Sequence, residues 1–429
     1  MNIIKYPLPE QWNEILKRPS KNNTELGQIV NDVLKDVKEN GDEALIRYEL
    51  KFDHVALDSL KVSNDEFNEA DSLISDDLKS AIQHAYKNIG LFHKSQVNQT
   101  NIVQTDLGVS CWRKALPIQK VGLYVPGGTA PLFSTVIMLA TPATIAGCKD
   151  IVLCTPPNKN GKIHPAILYA AKISGVSEVF KIGGIQAIAA MAYGTLTVPK
   201  VYKIFGPGNQ YVMAAKQAVS LSNVAIDMPA GPSEVAIVAN NSSNADFIAA
   251  DLLSQAEHGI DSQVLLISDD LNIINNVIAS INIQIEELPR KDIAMAALSH
   301  SRFILVHDMD EAIDLANAYA PEHLILAIDN YESLADKVVN AGSVFLGPYS
   351  CESAGDYASG TNHTLPTNGY ANMYSGVSCD SFIKNVTFQN VTKDGVLSLA
   401  KTVEEMAHNE FLHAHEYAMK IRREYIENL

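Results

Sequence analysis

The residues of this chain that could do chemistry fall in a few short stretches. Gln255 and His258 stand three apart in the sequence LLSQAEHG (252–259), at the end of an apolar helical run, so both can face one object while Glu257 turns aside. That object is a metal ion or water, and a histidine there can also simply answer the negative end of its own helix. Glu322 and His323 are adjacent in APEHL (320–324), in a turn between a helix ending near Tyr319 and a strand starting at Leu324. At the mouth of a sheet either could act as a general base; in a solvated turn neither would. Residues 353–363, continued to Thr367, are fifteen residues of loop-like composition in which Asp356 offers a hard oxygen ligand beside His363. The tail adds Glu410, His413 and His415 among apolar residues, where single histidines are commonly just solvated.

Three glycine-rich turns complete the set: VPGGTAP (125–131), IGGIQA (182–187) and FGPGNQY (205–211). Each follows an expected strand and precedes a helical pattern, so backbone amides at a helix N-terminus could receive a phosphate. None is a full dinucleotide fingerprint, since Gly206-x-Gly208 has Tyr211 where a third glycine would stand. Singly each reads as a tight turn; three at successive strand ends suggest a cofactor crevice.

The elements that must position these groups follow from hydrophobic periodicity. From about 23 to 95 the pattern is helical, with Ile29, Val33 and Val37 on one face and Leu78, Ile82, Ala85 and Ile89 on another. Short β-branched runs then alternate with helical patterns, at 120–125, 151–155, 179–182, 201–205, 235–238, 264–267, 303–306, 324–328 and 343–346. Strands spaced by helices imply βαβ crossovers and parallel sheets. The fold class is therefore α/β, with two incomplete Rossmann-like units divided at DMPAGPSE (227–234). The expected organisation is a helical region at 1–118, α/β units at 119–234 and 235–380, and a helical dimerisation tail at 381–429. No internal repeat is legible.

Composition sets the setting. Of 429 residues, 47% are hydrophobic and the formal net charge is −16, with pI near 5.2, which argues against nucleic acid. No run of about 18 apolar residues indicates a membrane span, and the N-terminus does not read as a signal peptide. Cysteines 111, 148, 154, 351 and 379 form no CxxC pair, so a reducing cytoplasm is the expected location.

Taken together, VGLYVPGGTAPLFSTVIMLATPATIAGC, KIFGPGN, DMPAGPSE, DLLSQAEHG, APEHL, AGSVFLG and ESAGDYASGTNH, in this order, resemble histidinol dehydrogenase, from about residue 24 to about 420. The resemblance implies oxidation of L-histidinol to L-histidine through L-histidinaldehyde with two NAD, one Zn2+ per subunit, and a homodimer whose active sites mix residues of both chains. It implies zinc ligands Gln255, His258 and Asp356 from one subunit and His415 from the other, with His413 an alternative in FLHAH. It assigns Glu322 and His323 to catalysis and Tyr124, Gln186 and Asn209 to NAD. Ser233, Gln255, His258, Glu322, His323, Asp356, Tyr357, His363, Glu410 and His415 match positions lining the substrate and metal site. On this reading His323 takes the hydroxyl proton and Glu322 activates water for the aldehyde step, in preference to a cysteine thiohemiacetal. The residues without the resemblance fit a metal hydrolase, or a noncatalytic binder on the same scaffold.

Overall fold

The computed structural model describes all residues except 1–2, 20–23, 98–99, 128–129, 222–223 and 230, and the side chains of 24 and 25. Asn23, Gly128 and Thr129 of the VPGGTAP turn and Ala230 of DMPAGPSE thus lie outside the described residues. The chain divides into two compact units, one of residues 1–96 and 118–382 and one of residues 97–117 and 383–429.

In chain order the strands are β1 (Ile3–Lys5), β2 (Ile102–Asp106), β3 (Val109–Pro117), β4 (Lys120–Tyr124), β5 (Asp150–Thr155), β6 (Glu178–Lys181) and β7 (Lys203–Phe205). There follow β8 (Ala225–Ile226), β9 (Glu234–Ala239), β10 (Gln263–Ser268), β11 (Arg302–Leu305), β12 (His323–Leu326), β13 (Ser343–Leu346) and β14 (Ile383–Val391). All nine strands expected from β-branched runs are present. In the first unit β4 to β8 form a parallel sheet in the order β6-β5-β4-β7-β8, and a second parallel sheet runs β1-β11-β10-β9-β12-β13. Leaving β1 aside, both sheets share one doubly wound order, with the chain reversing direction across the sheet between β4 and β7 and again between β9 and β12. This likeness of the sheets has no counterpart in a repeated sequence.

Both sheets are covered on both faces, which is why their strands read as unbroken apolar runs. Val152 and Cys154 join Val30, Val33, Leu34 and Val37 of helix Thr24–Tyr48 and the alanines of helix Gly184–Tyr193. Val121 and Leu123 point the other way, onto Ile82 and Ile89 of helix Asp76–Lys94 and onto helix Phe133–Ala146. Ile29, expected inside, is 41% exposed, because the buried stripe runs through Val30 instead. Ile82 is 2% exposed, and its truncation to alanine should cost about 2–5 kcal/mol.

Four pieces lie outside the pattern read from sequence. Strand β1 pairs with β11 at the edge of the second sheet, and β8 closes the first. In the second unit β3 pairs antiparallel with both β2 and β14, so the tail begins with a nine-residue strand. Helices Lys393–Asn409 and His413–Glu427 follow as expected. The segment 353–367 also differs, since its first part belongs to a short helix, Glu352–Tyr357. No helix among the described residues is long and apolar enough to cross a membrane.

Candidate active site

Glu322 and His323 are buried, at 7% and 3% exposure, which excludes the solvated turn. They sit at the amino end of β12, beside the amino end of β9, whereas ligands of open α/β sheets ordinarily lie at the carboxyl ends. The mouth-of-the-sheet expectation is thereby corrected. What holds the pair is a single residue, Glu234. Its N–H donates to Glu322 Oε2 at 2.9 Å, and its carbonyl oxygen lies 3.2 Å from His323 Nδ1. A carbonyl only accepts, so the proton belongs on Nδ1 and Nε2 is left as the basic nitrogen of the neutral ring. That Nε2 is buried without a hydrogen bond, 3.5 Å from Asp356 Oδ1.

Glu234 is itself clamped. Arg18 reaches its carboxylate through Nε at 2.5 Å and Nη2 at 2.9 Å, donates to Tyr319 O at 2.7 Å, and lies 4.0 Å from the Tyr319 ring centroid. Asn368 N–H adds a bond to Oε1 at 2.8 Å. Burial raises the Glu234 carboxyl above its ordinary pKa, against the pull of Arg18. Removing Arg18 would leave that carboxylate buried and unpaired, a change that costs about 3–5 kcal/mol in comparable pairs.

The groups around His323 are mostly acids. Helix Ala245–Ala256 brings in Gln255, whose Nε2 lies 3.4 Å from Glu322 Oε2 and whose Oε1 is buried without a partner. The helix stops at Ala256, so His258 lies two residues beyond its end, where its N–H bonds Gln255 O at 3.3 Å. His258, Glu352 and Asp356 each offer a ligand atom, and these atoms lie within 4.8 Å of one another. Asp356 Oδ1 and Glu352 Oε2 are buried without hydrogen bonds. Burial lifts Glu322 to about 8 and raises Glu352 far above the usual carboxylate range. Burial pulls His323 down, but Glu352, Glu322 and Asp356 outweigh it and hold the imidazole at about 10, so it carries a proton on each nitrogen at neutral pH unless a cation among those carboxylates offsets their charge and frees the neutral ring. His258 is lowered by desolvation, which favours the neutral, ligating ring. Orphaned oxygens beside a neutral histidine, in a field of excess carboxylates, are what a divalent cation satisfies, so these residues fit one.

Sequence expectation missed Glu352, although it stands four residues before Asp356, the spacing of one helix face; the loop-like composition concealed that helix. It also missed Glu234, the last residue of DMPAGPSE. His363 stands against Asp356, its Nδ1 2.8 Å from Asp356 O and its Nε2 3.1 Å from Thr135 Oγ1. Thr135 lies in the first turn of the helix that follows β4, so this contact joins the acidic cluster to the carboxyl edge of the first sheet. Ser233 immediately precedes Glu234 and accepts Gln263 N–H at 3.2 Å, while Tyr357, 56% exposed, ends the short helix.

At that carboxyl edge two of the glycine-rich turns meet. Gly206, at φ +127°, lies so close to β4 that a Cβ would sit 2.0 Å from Tyr124 O, which admits only glycine. Lys216 Nζ, paired with Asp227 in the interior, donates to Gly206 O at 2.8 Å, and Asp227 Oδ2 accepts Gly206 N–H at 2.7 Å. Asn209 caps helix Gln210–Ser220 by accepting from Tyr211 and Val212 N–H at 3.0 and 3.1 Å. Tyr124 Oη accepts Gly184 N–H at 3.1 Å, and Gln186, fully buried two residues on, keeps an unpartnered Oε1. The first sheet thus gathers polar groups at its chain reversal, the place where ligands of such sheets bind.

The remaining expected residues belong to the second unit. Glu410 closes helix Lys393–Asn409 and His415 lies in the first turn of helix His413–Glu427, both exposed. His413 Nδ1 is engaged with Glu416 at 3.2 Å, as is His408, whereas the His415 ring makes no hydrogen bond among the described residues.

Comparison with known proteins shows the family. Residues 16–423 match the family model described as histidinol dehydrogenase. Histidinol dehydrogenase of Bacteroides thetaiotaomicron is 60% identical over 98% of this chain and 99% of its own length. That of Escherichia coli is 50% identical, over 96% and 95%. The crystal structure of histidinol dehydrogenase from Elizabethkingia anophelis superposes with a TM-score of 0.97 at 54% identity, covering 100% of this chain and 99% of that one. With family model, sequence relatives and solved structure in agreement over nearly its whole length, the chain belongs to the histidinol dehydrogenase family.

Proposed function

We propose that the protein oxidises L-histidinol to L-histidine through L-histidinaldehyde, consuming two NAD and one water, as a cytoplasmic homodimer with one zinc per subunit. Glu322 and His323 are its catalytic pair. Gln255, His258 and Asp356 hold the metal together with the partner subunit's His415; Tyr124, Gln186 and Asn209 hold NAD; Ser233, Tyr357, His363 and Glu410 line the substrate. The observation that carries this reading is the placement of His323 Nε2, unbonded, between the Glu234 backbone and the orphaned oxygens of the acidic cluster.

When bound, zinc supplies a fixed point for the substrate's imidazole and amine, and NAD supplies the acceptor for two electrons in each half-reaction. The chain's own groups manage protons and water. With the charge of Glu352, Glu322 and Asp356 offset at the metal site, the neutral His323 ring takes the alcohol proton on Nε2 in the first oxidation, its tautomer set by Glu234 O. In the second, Glu322, once ionised, takes a proton from water as its oxygen adds to the aldehyde carbon; the hydrate's remaining C–H then yields the second electron pair, leaving the acid. A thiol route through Cys148, Cys379 or Cys154 is disfavoured because burial pushes those three thiols up, Cys148 to about 12 and Cys379 to about 11, with Cys154 raised further. A second copy would cover the tail helices' exposed Met406, Phe411, Tyr417 and Ile421, which supports the dimer. His415 rather than His413 suits the shared ligand, being unencumbered by Glu416.

The test is NADH absorbance on mixing zinc-loaded protein with L-histidinol and NAD. The expected yield is two NADH per histidinol, and an absence of signal would overturn the assignment in favour of a hydrolase or a binder.

A further inference from the structure

Beneath the cofactor crevice lies a carboxylate to which none of the chemistry above assigns work. Helix Thr24–Tyr48 continues into a π-helical turn, Glu49–Asp53, a rare form that recurs at functional sites. The turn ends at His54 in the left-handed region, at φ 58°. Glu49 is fully buried. Its Oε1 accepts two hydrogen bonds, from Gly183 N–H at 3.0 Å and from Gln186 Nε2 at 2.8 Å. Asp53 comes in from the same turn; a Cβ on Gly183 would stand 3.2 Å from its Oδ2.

The consequence falls on Gln186. An amide can present either end to a ligand, and its neighbours decide which. Glu49 Oε1 can only accept, so Gln186 must turn its nitrogen inward. The carbonyl Oε1 is then left, buried and without a donor, next to Gly184, where a Cβ would lie 3.0 Å from it. The same carboxylate fixes the Gly183 peptide, and the next N–H, that of Gly184, is taken by Tyr124 Oη. Burial lifts Glu49 to about 7; because Oε1 already accepts from two N–H donors, a proton on this carboxyl belongs on the unpartnered Oε2, which leaves Oε1 an acceptor in either state.

We propose that Glu49 is a positioning residue for the dinucleotide: by locking the amide of Gln186 and the peptide of Gly183 from below, it makes Gln186 Oε1 an obligatory acceptor for a donor of NAD. This rests on the reading of Gln186 as an NAD contact. Through Glu49 the N-terminal helical segment enters the cofactor site without touching the cofactor.

The experiment measures NAD binding to the zinc-loaded full chain by calorimetry, with KM for NAD and for histidinol alongside. In Glu49→Gln the new side chain can donate to Gln186, freeing the amide to flip, and the Kd for NAD should rise about tenfold, the scale of one misplaced hydrogen bond. Glu49→Asp, which withdraws the oxygen by one methylene but keeps the charge, should move Kd the same way. KM for histidinol and the melting temperature should stay near wild type in at least one of the two. Gln186→Ala should weaken NAD by itself, and adding Glu49→Gln to it should weaken binding no further, because Glu49 acts through Gln186. An unchanged Kd in both Glu49 variants while Gln186→Ala weakens NAD, or additive effects in the double variant, would overturn the positioning role. An unchanged Kd in Gln186→Ala would overturn the NAD role of Gln186, and this proposal with it.

Discussion

Replacing Glu322 by glutamine separates the two oxidations. The variant keeps the shape of the site, since an amide oxygen can still accept the Glu234 N–H that Glu322 accepts at 2.9 Å. It removes the one property the aldehyde step needs, a group that can take a proton from water, and a positioned base is worth about 10²–10⁴ in rate. Aldehyde oxidation should fall by that factor and alcohol oxidation, whose proton goes to His323, by much less. The pH profile carries the sign. Burial lifts the Glu322 carboxyl to about 8, so it is mostly protonated and idle at neutral pH and gains activity as pH rises through that value. A group with pKa about 8 is roughly one-tenth ionised at pH 7, so the aldehyde rate should climb by up to about tenfold between pH 7 and 9. A cation among the neighbouring ligands draws the pKa down, making that limb shallower and earlier. Single-turnover NADH formation with enzyme in excess, started once from L-histidinol and once from L-histidinaldehyde, reads both steps. Equal losses in the two reactions, or an alkaline rise that survives in the variant, would refute Glu322 as the water-activating base.

Three further outcomes are expected. Removing metal with a chelator should abolish NADH formation and zinc should restore it; activity that persists at zero measured metal would argue that Gln255, His258 and Asp356 do something else. Mixing His258→Ala and His415→Ala chains under subunit exchange should recover about a quarter of wild-type activity, since random pairing makes about half the dimers mixed and each holds one intact site of two; no recovery on verified exchange would place each site within one chain. Asp251 is lifted from 3.8 to about 7 by burial alone. The folded state therefore holds a proton that the unfolded chain releases near pH 4, and stability drains as pH climbs from about 4 to 7. Three units correspond to about 4 kcal/mol, and partial solvent contact reduces this to about 2 kcal/mol. Asp251→Asn should thus stabilise the protein more at pH 8 than at pH 5 by urea unfolding; an equal or smaller gain at pH 8 would contradict the sign.

The parallel sheets were legible because strands buried on both faces must be continuous β-branched runs, and nothing else in the chain looks like that. Strands β3 and β14 were not: nine residues each, β3 is mostly half-buried and β14 mostly exposed, so no alternating burial pattern is written into them. Gln255, His258, Glu322, His323 and Asp356 stood out by type and spacing. Their supports did not, because a buried carboxylate such as Glu234 or Glu352 looks in sequence like any surface acid, and only the partner, Arg18 or the cluster itself, reveals it. Glu352 and Asp356 carried a readable helical spacing that the glycines around them concealed. Glu49 lay between the two apolar faces read from the sequence, at 29–37 and 78–89, where no periodicity marked the acid as buried.

Strand β1 has a consequence in time as well as in space. Ile3 pairs with Phe303, so this strand finds its place only against residues some three hundred positions later. At synthesis rates of roughly 5–20 residues per second, that partner follows after about 15–60 seconds. Until then the edge of the second sheet has not been made, and Arg18 for its part waits 216 residues for Glu234. The catalytic pair is thus completed by a segment that is translated well before its partners and docks late. Long-range parallel pairing is slow in its own right, so in newly made chains activity should lag behind the helical signal, and the gap between the two reports the docking of the N-terminal segment.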